Sequence, residues 1–444
     1  MLKKLAAALI IAAIPALALG EGPAAVKMKG SDFKNFNAYE VDGTFYTAPL
    51  VLTKGGKWKL SWEKDRLYVY TTPPAMKREE KVEIPYREIE GNKYVDFSFF
   101  SGQAGLEYTY KPKKKELTVK KKKEKKEGKE KALPAERPLV LWDINYSFRN
   151  ENSDFAALSG THILSPTMGS YEDIEKGAYS WNFDYLKRAR ENSMEVMPLI
   201  HNDFEVKKTS LFMHDGKRQE AFISKIAALS EVYGLYGYNM DFENMDPKDK
   251  DLFTDFMKNL SVPLHEGKKK LTADITVYNA GSPTWSLCYD RTKLADFCDY
   301  EIIMGYDETP RTSPYAGSVS SYSWLDRSIQ KLITMVPPEK LILGLPFYTR
   351  IYEGNPGHMK SKVLAMKDQE DLMNRYRLKP IWQPEARQYT LTWKQGGLMH
   401  RVYLEEEKSL SAKLELEKNY NLAGLAFWRY GFEKKGIFEE LGKH

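Results

Sequence analysis

Eight apolar runs, spaced through the last 300 or so residues and separated by helical patterns, constrain this chain more than any other feature. They cover 139–144, 162–165, 195–200, 236–242, 271–277, 300–305, 340–346 and 422–428. Continuous apolar runs of this length read as strands buried on both faces, which belong to parallel sheets covered by helices. Stretches such as 183–191 and 218–233 carry helical spacing between them. Eight β-then-α units in one such stretch predict an α/β fold, a (β/α)8 TIM barrel over residues 138–444. In that architecture chemistry is built at the C-terminal strand ends. Those ends are polar or aromatic here: Asn145 and Tyr146, His201 and Asn202, Tyr278 and Asn279, Tyr306 and Asp307, Trp428 and Arg429.

The fourth run ends in GYNMDFEN, residues 237–244. Strand side chains alternate faces, so Asn239, Asp241 and Glu243 share one face, and Tyr238, Met240 and Phe242 take the other. Two carboxyls side by side in a partly dry site do not both ionise easily. Glu243 can then hold a proton near neutral pH and donate it, as cleavage of a glycosidic bond requires. The plain alternative is a helix N-terminus with acidic capping residues. Downstream, Asp246 suits an N-cap, Pro247 a first helical turn, and Gly267 the far end of a helix.

Upstream the organisation differs. Residues 41–70 and 89–120 form a weak internal repeat. Val41-Asp42-Gly43 aligns with Ile89-Glu90-Gly91, Tyr46 with Tyr94, Leu50 with Ser98, and Leu60 and Trp62 with Tyr108 and Tyr110. Period-two patterns in each copy predict hairpins, and hence a small β-rich α+β domain over 31–120. The net charge of +6 is concentrated in one segment. Residues 111–131 hold 12 Lys and 4 Glu, a net +8, so the rest of the chain carries −2. The end of this segment, 121–137, reads as a solvated linker. A second reading is adhesion to anionic envelope polymers. No aromatic residues are interleaved there for base stacking, so nucleic acid is not an expected partner.

Residues 1–20 have the plan of a signal peptide. Lys3 and Lys4 precede an apolar run over 5–19, and small residues follow at Ala16, Ala18 and Gly20. The run is short for a transmembrane span, which needs about 20 residues. An exported or envelope-associated protein is expected, with an uncleaved anchor as the alternative. The two cysteines, Cys288 and Cys298, are too few for a disulfide framework or a zinc site. A bridge between them is open to an exported protein, but buried unlinked thiols are expected. The seven histidines form no HExxH or other metal-ligand spacing. Between the seventh and eighth runs, about 354–421, an insertion carries Trp382, Tyr389, Trp393 and Tyr403. LTWKQGG and MHRVYLEE predict a hairpin turning at Gly396-Gly397. Its aromatics are either sugar platforms or the core of a small subdomain.

The barrel motifs resemble glycoside hydrolase family 18, the chitinase-like family. Its fourth-strand signature DxxDxDxE corresponds to YGYNMDFE, residues 236–243. Its sixth-strand signature M-x-Y-D stands intact as Met304-Gly305-Tyr306-Asp307, and its eighth-strand Trp corresponds to Trp428. The stretches GYNMDFENM, YDRTKLADFCDYEIIMGYDE and KLILGLPFY resemble the branch that hydrolyses spore and cell-wall peptidoglycan. The N-terminal repeat resembles copper amine oxidase N-terminal-like domains, without copper ligands. The family resemblance implies retaining, substrate-assisted hydrolysis of β-1,4 bonds in polymers containing N-acetylglucosamine. It implies Glu243 as general acid and base, Asp241 as partner of the acetamido N–H, and Tyr306 as donor to the acetamido oxygen. Asn239, Met304, Asp307, Trp428 and Tyr278 are the expected substrate-binding residues. No metal or organic cofactor is implied, and the chain is expected to act as a monomer on a polysaccharide, peptidoglycan before chitin.

Two departures stand out. The first inner Asp of the signature is Asn239, which removes one charge beside Asp241, and the earlier Asp is Tyr236. A barrel that has lost catalysis would bind carbohydrate instead. Retention of Asp241, Glu243, Tyr306 and Trp428 together favours the enzyme.

Overall fold

The computed structural model describes residues 23–123, 137–149, 154–179 and 181–443. The expected signal peptide and most of the expected linker lie outside the described residues.

Eight parallel strands close into a barrel. They are Pro138–Asp143, Thr161–Ser170, Leu199–His201, Gly237–Asp241, Lys270–Thr276, Tyr300–Met304, Leu341–Pro346 and Gly424–Trp428. Each pairs with the next, and the first pairs with both the second and the eighth. All eight apolar runs are therefore barrel strands, in the expected order. The third run is broken: Glu195–Val196 is a separate short strand, and Leu199–His201 enters the barrel after Met197-Pro198. Proline cannot donate a ladder hydrogen bond, which accounts for an interruption there.

The alternation of strand residues divides the core in two. Val140, Trp142, Ile163, Met197, Leu199, Ile302, Ile342 and Ala426 form one cluster inside the barrel. The opposite set packs under the helices: Tyr238, Met240 and Phe242 lie there, all fully buried. Strands four and five run so close that a Cβ on Gly237 would lie 1.9 Å from the Lys270 carbonyl oxygen. Helix boundaries follow local chemistry. The Asn182 side chain accepts from Tyr185 N at the start of Phe183–Glu191. Asp215 caps Gly216–Tyr233, and Gly234 ends it in the left-handed conformation. Asp246 caps a 3₁₀ turn, Pro247–Asp249, that leads into the helix Lys250–Glu266. Gly267 then ends that helix.

Before the barrel, strands form one seven-stranded and one three-stranded sheet. The repeat is visible in three dimensions. A tight hairpin at Asp42-Gly43 leads into the helix Leu50–Thr53 and the hairpin Lys59–Glu63/Arg66–Thr71. A tight hairpin at Glu90-Gly91 likewise leads into Phe97–Phe100 and Leu106–Lys111/Glu116–Lys121. Asp42 and Glu90 have φ of 48° and 50°, and the glycines after them 76° and 74°, as two-residue hairpin turns require. The copies differ in pairing: the last hairpin of the first joins Glu80–Ile84, whereas that of the second joins Ala24–Lys29.

The helix Phe97–Phe100 wedges this region against the barrel. Phe100 stacks on Phe183 at 5.4 Å, Phe99 meets the same ring edge-on at 4.7 Å, and Tyr233 lies 6.0 Å from Phe100. Arg190 lies over Phe99 and donates to its carbonyl, and Lys187 pairs with Asp96 at 2.8 Å.

The insertion after strand seven is a five-stranded antiparallel sheet in the order Lys360–Ala365, Tyr348–Gly354, Leu398–Tyr403, Gln388–Gln395, Ile381–Gln383. Its hairpin turns at Gly396-Gly397, with φ of 56° and 79°. Tyr389 and Trp393 pack on Leu391, Val402 and Leu404. Lys408 lies 3.8 Å over Trp382. These aromatics serve the subdomain's own packing. Cys288 and Cys298 are buried and unlinked. Among the described residues no helix is long and apolar enough to cross a membrane.

Phe100→Ala is expected to cost about 3–5 kcal/mol, as for other buried aromatics, and to split thermal unfolding into two transitions. Calorimetry checks this; one transition at the wild-type midpoint would rule out the aromatic wedge as the dock.

Candidate active site

The inner face of the barrel turns from apolar to polar toward its C-terminal end. The pivot is Asn239, fully buried on strand four. Trp142 Nε1 donates to Asn239 Oδ1 at 2.8 Å. An indole N–H only donates, so the amide oxygen must face Trp142. The amide nitrogen then faces strand five and donates to Thr272 Oγ1 at 3.1 Å and Asp274 Oδ1 at 2.7 Å.

Asp241 ends strand four one pleat further on. It is 7 % exposed, and its Oδ1 has no hydrogen-bond partner. Burial pushes its carboxyl up to about 7. Glu243 stands two residues beyond the strand. Burial, then the charges of Asp241, Asp274 and Asp307, hold its carboxyl well above the usual range. Asp274 is raised in the same way, by burial and then by Asp241.

The loop carrying Glu243 is pinned from both sides. Asn202 accepts from Glu243 N at 3.0 Å and donates to its carbonyl at 2.7 Å. Tyr289 donates to the Phe242 carbonyl at 2.9 Å, and Met245 N donates to the Thr284 carbonyl. Asn244, in the left-handed conformation, donates to the Phe204 carbonyl. The acid is thus fixed by its backbone while its side chain is left free for a ligand.

Strands six and eight supply the facing wall. Tyr306 lies 6.4 Å from the Trp428 ring, which lies 5.6 Å from Trp142. Burial and then Asp274, Tyr348, Asp241 and Glu243 raise the Tyr306 phenol, so its hydroxyl remains a donor. Met304 is the buried end of strand six. Asp307 adopts φ of 58° and accepts at Oδ1 from Tyr348 Oη at 2.7 Å and Arg350 Nη2 at 2.9 Å.

Of the residues singled out in the sequence, Asn239, Asp241, Glu243, Tyr306, Asp307 and Trp428 gather at one barrel end, with Met304 just below. Tyr278 does not join them. Its ring lies 5.8 Å from Arg291 and 5.2 Å from Lys331. Four participants escaped the sequence reading: Trp142, Asp274, Tyr348 and Arg350. Asp274 left a signal, a lone acid in the apolar run LTADITV at the inward phase of strand five. Tyr348 and Arg350 follow strand seven, and no local pattern marks them. Among the described residues no group of three or more His, Cys, Asp or Glu is arranged to hold a metal ion.

The arrangement brings a carboxyl raised well above its usual range, a buried carboxyl with an unpartnered oxygen, a phenol donor and an indole ring to one barrel end. That set can donate a proton to a leaving oxygen and orient an amide.

The signature of Glycosyl hydrolases family 18 matches residues 66–433, beginning well before the first barrel strand. An uncharacterized glycosylase of Bacillus subtilis, YvbX, is 24% identical over 267 residues, covering 58% of this chain and 77% of that protein. The cortical fragment-lytic enzyme of Bacillus anthracis is 24% identical over 248 residues. The match covers 54% of this chain and 56% of that protein, so the chain spans little more than half of that relative. Among solved structures, the spore cortex-lytic enzyme SleL of Bacillus cereus has a TM-score of 0.61 at 18% identity, covering 69% of this chain and 73% of that one. A chitinase from Chromobacterium violaceum has a TM-score of 0.59 at 21% identity, covering 69% and 98%. These structural likenesses show the fold, while the signature spans most of the sequence: the chain belongs to family 18 of the glycosyl hydrolases.

Proposed function

We propose that this glycoside hydrolase is exported and cleaves β-1,4 bonds in polymers containing N-acetylglucosamine, with peptidoglycan as its main substrate. The observation that carries the reading is the unpartnered Oδ1 of buried Asp241, two residues from Glu243, whose carboxyl burial holds well above its usual range. A buried carboxylate oxygen without a partner is costly. An acetamido N–H supplied by the substrate would satisfy it.

Glu243 protonates the leaving oxygen as the bond from that oxygen to the anomeric carbon breaks. The acetamido oxygen of the same sugar forms the new bond to that carbon. Asp241 accepts from the acetamido N–H and stabilises the oxazolinium charge, and Tyr306 donates to the acetamido oxygen. Water then attacks the anomeric carbon, giving its proton to Glu243 and reopening the ring, with retention. Trp428 floors the sugar site, and Asn239, Met304 and Asp307 shape it. Arg350 and Tyr348 hold Asp307.

Peptidoglycan is favoured by the cortical fragment-lytic relatives and the SleL likeness. Chitin oligomers are the second reading, favoured by the chitinase whose length this fold covers almost entirely. We further propose that the N-terminal repeat, which resembles copper amine oxidase N-terminal-like modules, attaches the enzyme to the envelope together with the basic segment. Its paired hairpin-helix-hairpin units support that reading.

Digestion of purified peptidoglycan and of chitin oligomers, followed by mass spectrometry, tests the substrate. Reducing N-acetylglucosamine ends from peptidoglycan alone are expected; cleavage confined to chitin oligomers would transfer the enzyme to the second reading. Glu243→Gln should lower kcat by about 10²–10⁴-fold while retaining glycan binding, and turnover at the wild-type rate would sink the assigned acid. Asp241→Asn should slow catalysis by about 10²–10³-fold yet stabilise the fold at pH 7. The folded-state value of Asp241 lies near 7, above its ordinary 3.8. Its contribution to stability is therefore full below pH 3.8 and is lost as pH rises through 7. Denaturant titrations at pH 4 and pH 8 should show the variant gaining on wild type as pH rises; an equal difference at both would refute the shift.

A further inference from the structure

We infer that Asp274, on barrel strand five, holds the proton that Asp241 must shed, in place of the carboxyl that family 18 carries where this chain has Asn239. Asp274 is a positioning residue, and its role rests on the substrate-assisted reading above.

The geometry comes from register. Strands four and five are parallel, with Asn239 opposite Thr272 and Met240 opposite Ala273. The next pair in that ladder is Asp241 and Asp274. Paired residues of parallel strands share a face, so both carboxyls enter the barrel at one level. Asn239 sits one pleat below and fixes Asp274 Oδ1 through its amide nitrogen, whose orientation Trp142 dictates. Asp274 is 3 % exposed, and among the described residues no Lys, Arg or His forms an ion pair with it. A buried acid without a cation is destabilising in a barrel interior whose lower part is apolar. The Asn239 amide nitrogen has two N–H donors; Thr272 takes one and Asp274 the other.

The groups around the pair are acidic or neutral. Asp241 and Glu243 come from strand four, Tyr306 and Asp307 from the end of strand six, and Tyr289 from the loop after strand five. Asp307 is matched by Arg350, and His201 at the end of strand three by Asp203. Asp241 and Asp274 therefore hold one proton between them. When an acetamido N–H engages Asp241, the proton stays on Asp274 and Asp241 carries the charge. No proton is gained or lost by the pair.

The test swaps the two groups. Asp274→Asn should lower kcat at least tenfold, and Asn239→Asp/Asp274→Asn, which returns a carboxyl from strand four, should recover most of that loss. A folded Asp274→Asn enzyme with wild-type kcat and pH profile, or a folded double variant no faster than the single, would overturn the inference. Infrared spectroscopy reads the proton without turnover. In a Glu243→Gln background at pH 8, adding Asp274→Asn should remove one carboxyl's share of the protonated-acid band, and adding Asn239→Asp as well should restore it. Other buried acids, such as Glu301, cancel in the comparison. An unchanged band would refute the proton site. Wild type that cleaves no N-acetylated glycan would defeat the functional reading instead, leaving the infrared comparison to judge Asp274.

Discussion

Three carboxyls are buried together at the end of the barrel, and their burial, reinforced by their neighbouring charges, sets the character of the site. Two carboxylates about 4 Å apart repel by roughly 4 kcal/mol at an effective dielectric near 20. Asp241, Glu243 and Asp274 cannot all ionise near neutral pH in such surroundings, and each is raised from its ordinary value. Arg350, on the first strand of the insertion, is engaged by Asp307 rather than by the three. Burial first, and then their neighbouring charges, favours the protonated form of these carboxyls.

Such a pocket persists because its surroundings are rigid. Trp142, Asn239, Thr272 and Asp274 form a chain of hydrogen bonds across strands one, four and five. Asn202 and Tyr289 hold the backbone around Glu243 from the loops on either side. The insertion contributes more than bulk: its first strand carries Tyr348 and Arg350 to Asp307. The same insertion is tied down by Lys413 and Glu405, both fully buried, with Gln388 and Ser409 completing the carboxylate's partners. Several buried polar atoms among the described residues lack a partner, Asp241 Oδ1 and Arg350 Nε at the site among them.

The N-terminal region meets the barrel through helices Phe183–Glu191 and Gly216–Tyr233, which follow strands two and three. Its core merges with the outer layer of the barrel in one continuous cluster. That continuity fits a family signature that begins at residue 66, inside this region.

Much of this was legible in the linear chain. Eight apolar runs, their order, the hairpin at Gly396-Gly397 and the split between Asn239/Asp241 and Tyr238/Met240/Phe242 all follow from period and turn chemistry, which are local. The acid pair was legible because both members lie on one strand end. Asp274 was not, because its meaning depends on the register of two strands about thirty residues apart. Tyr348 and Arg350 depend on how an insertion folds back, and the direction of the Tyr278 ring, toward Arg291 and Lys331, depends on the helices packed around it. The sequence by itself determined the barrel and the placing of Asn239 and Asp241 on one face of its fourth strand, since each rests on periodicity within one segment. The tertiary structure alone decided which carboxyl stands beside Asp241 and what holds Asp307, since both depend on side chains meeting across closed strands.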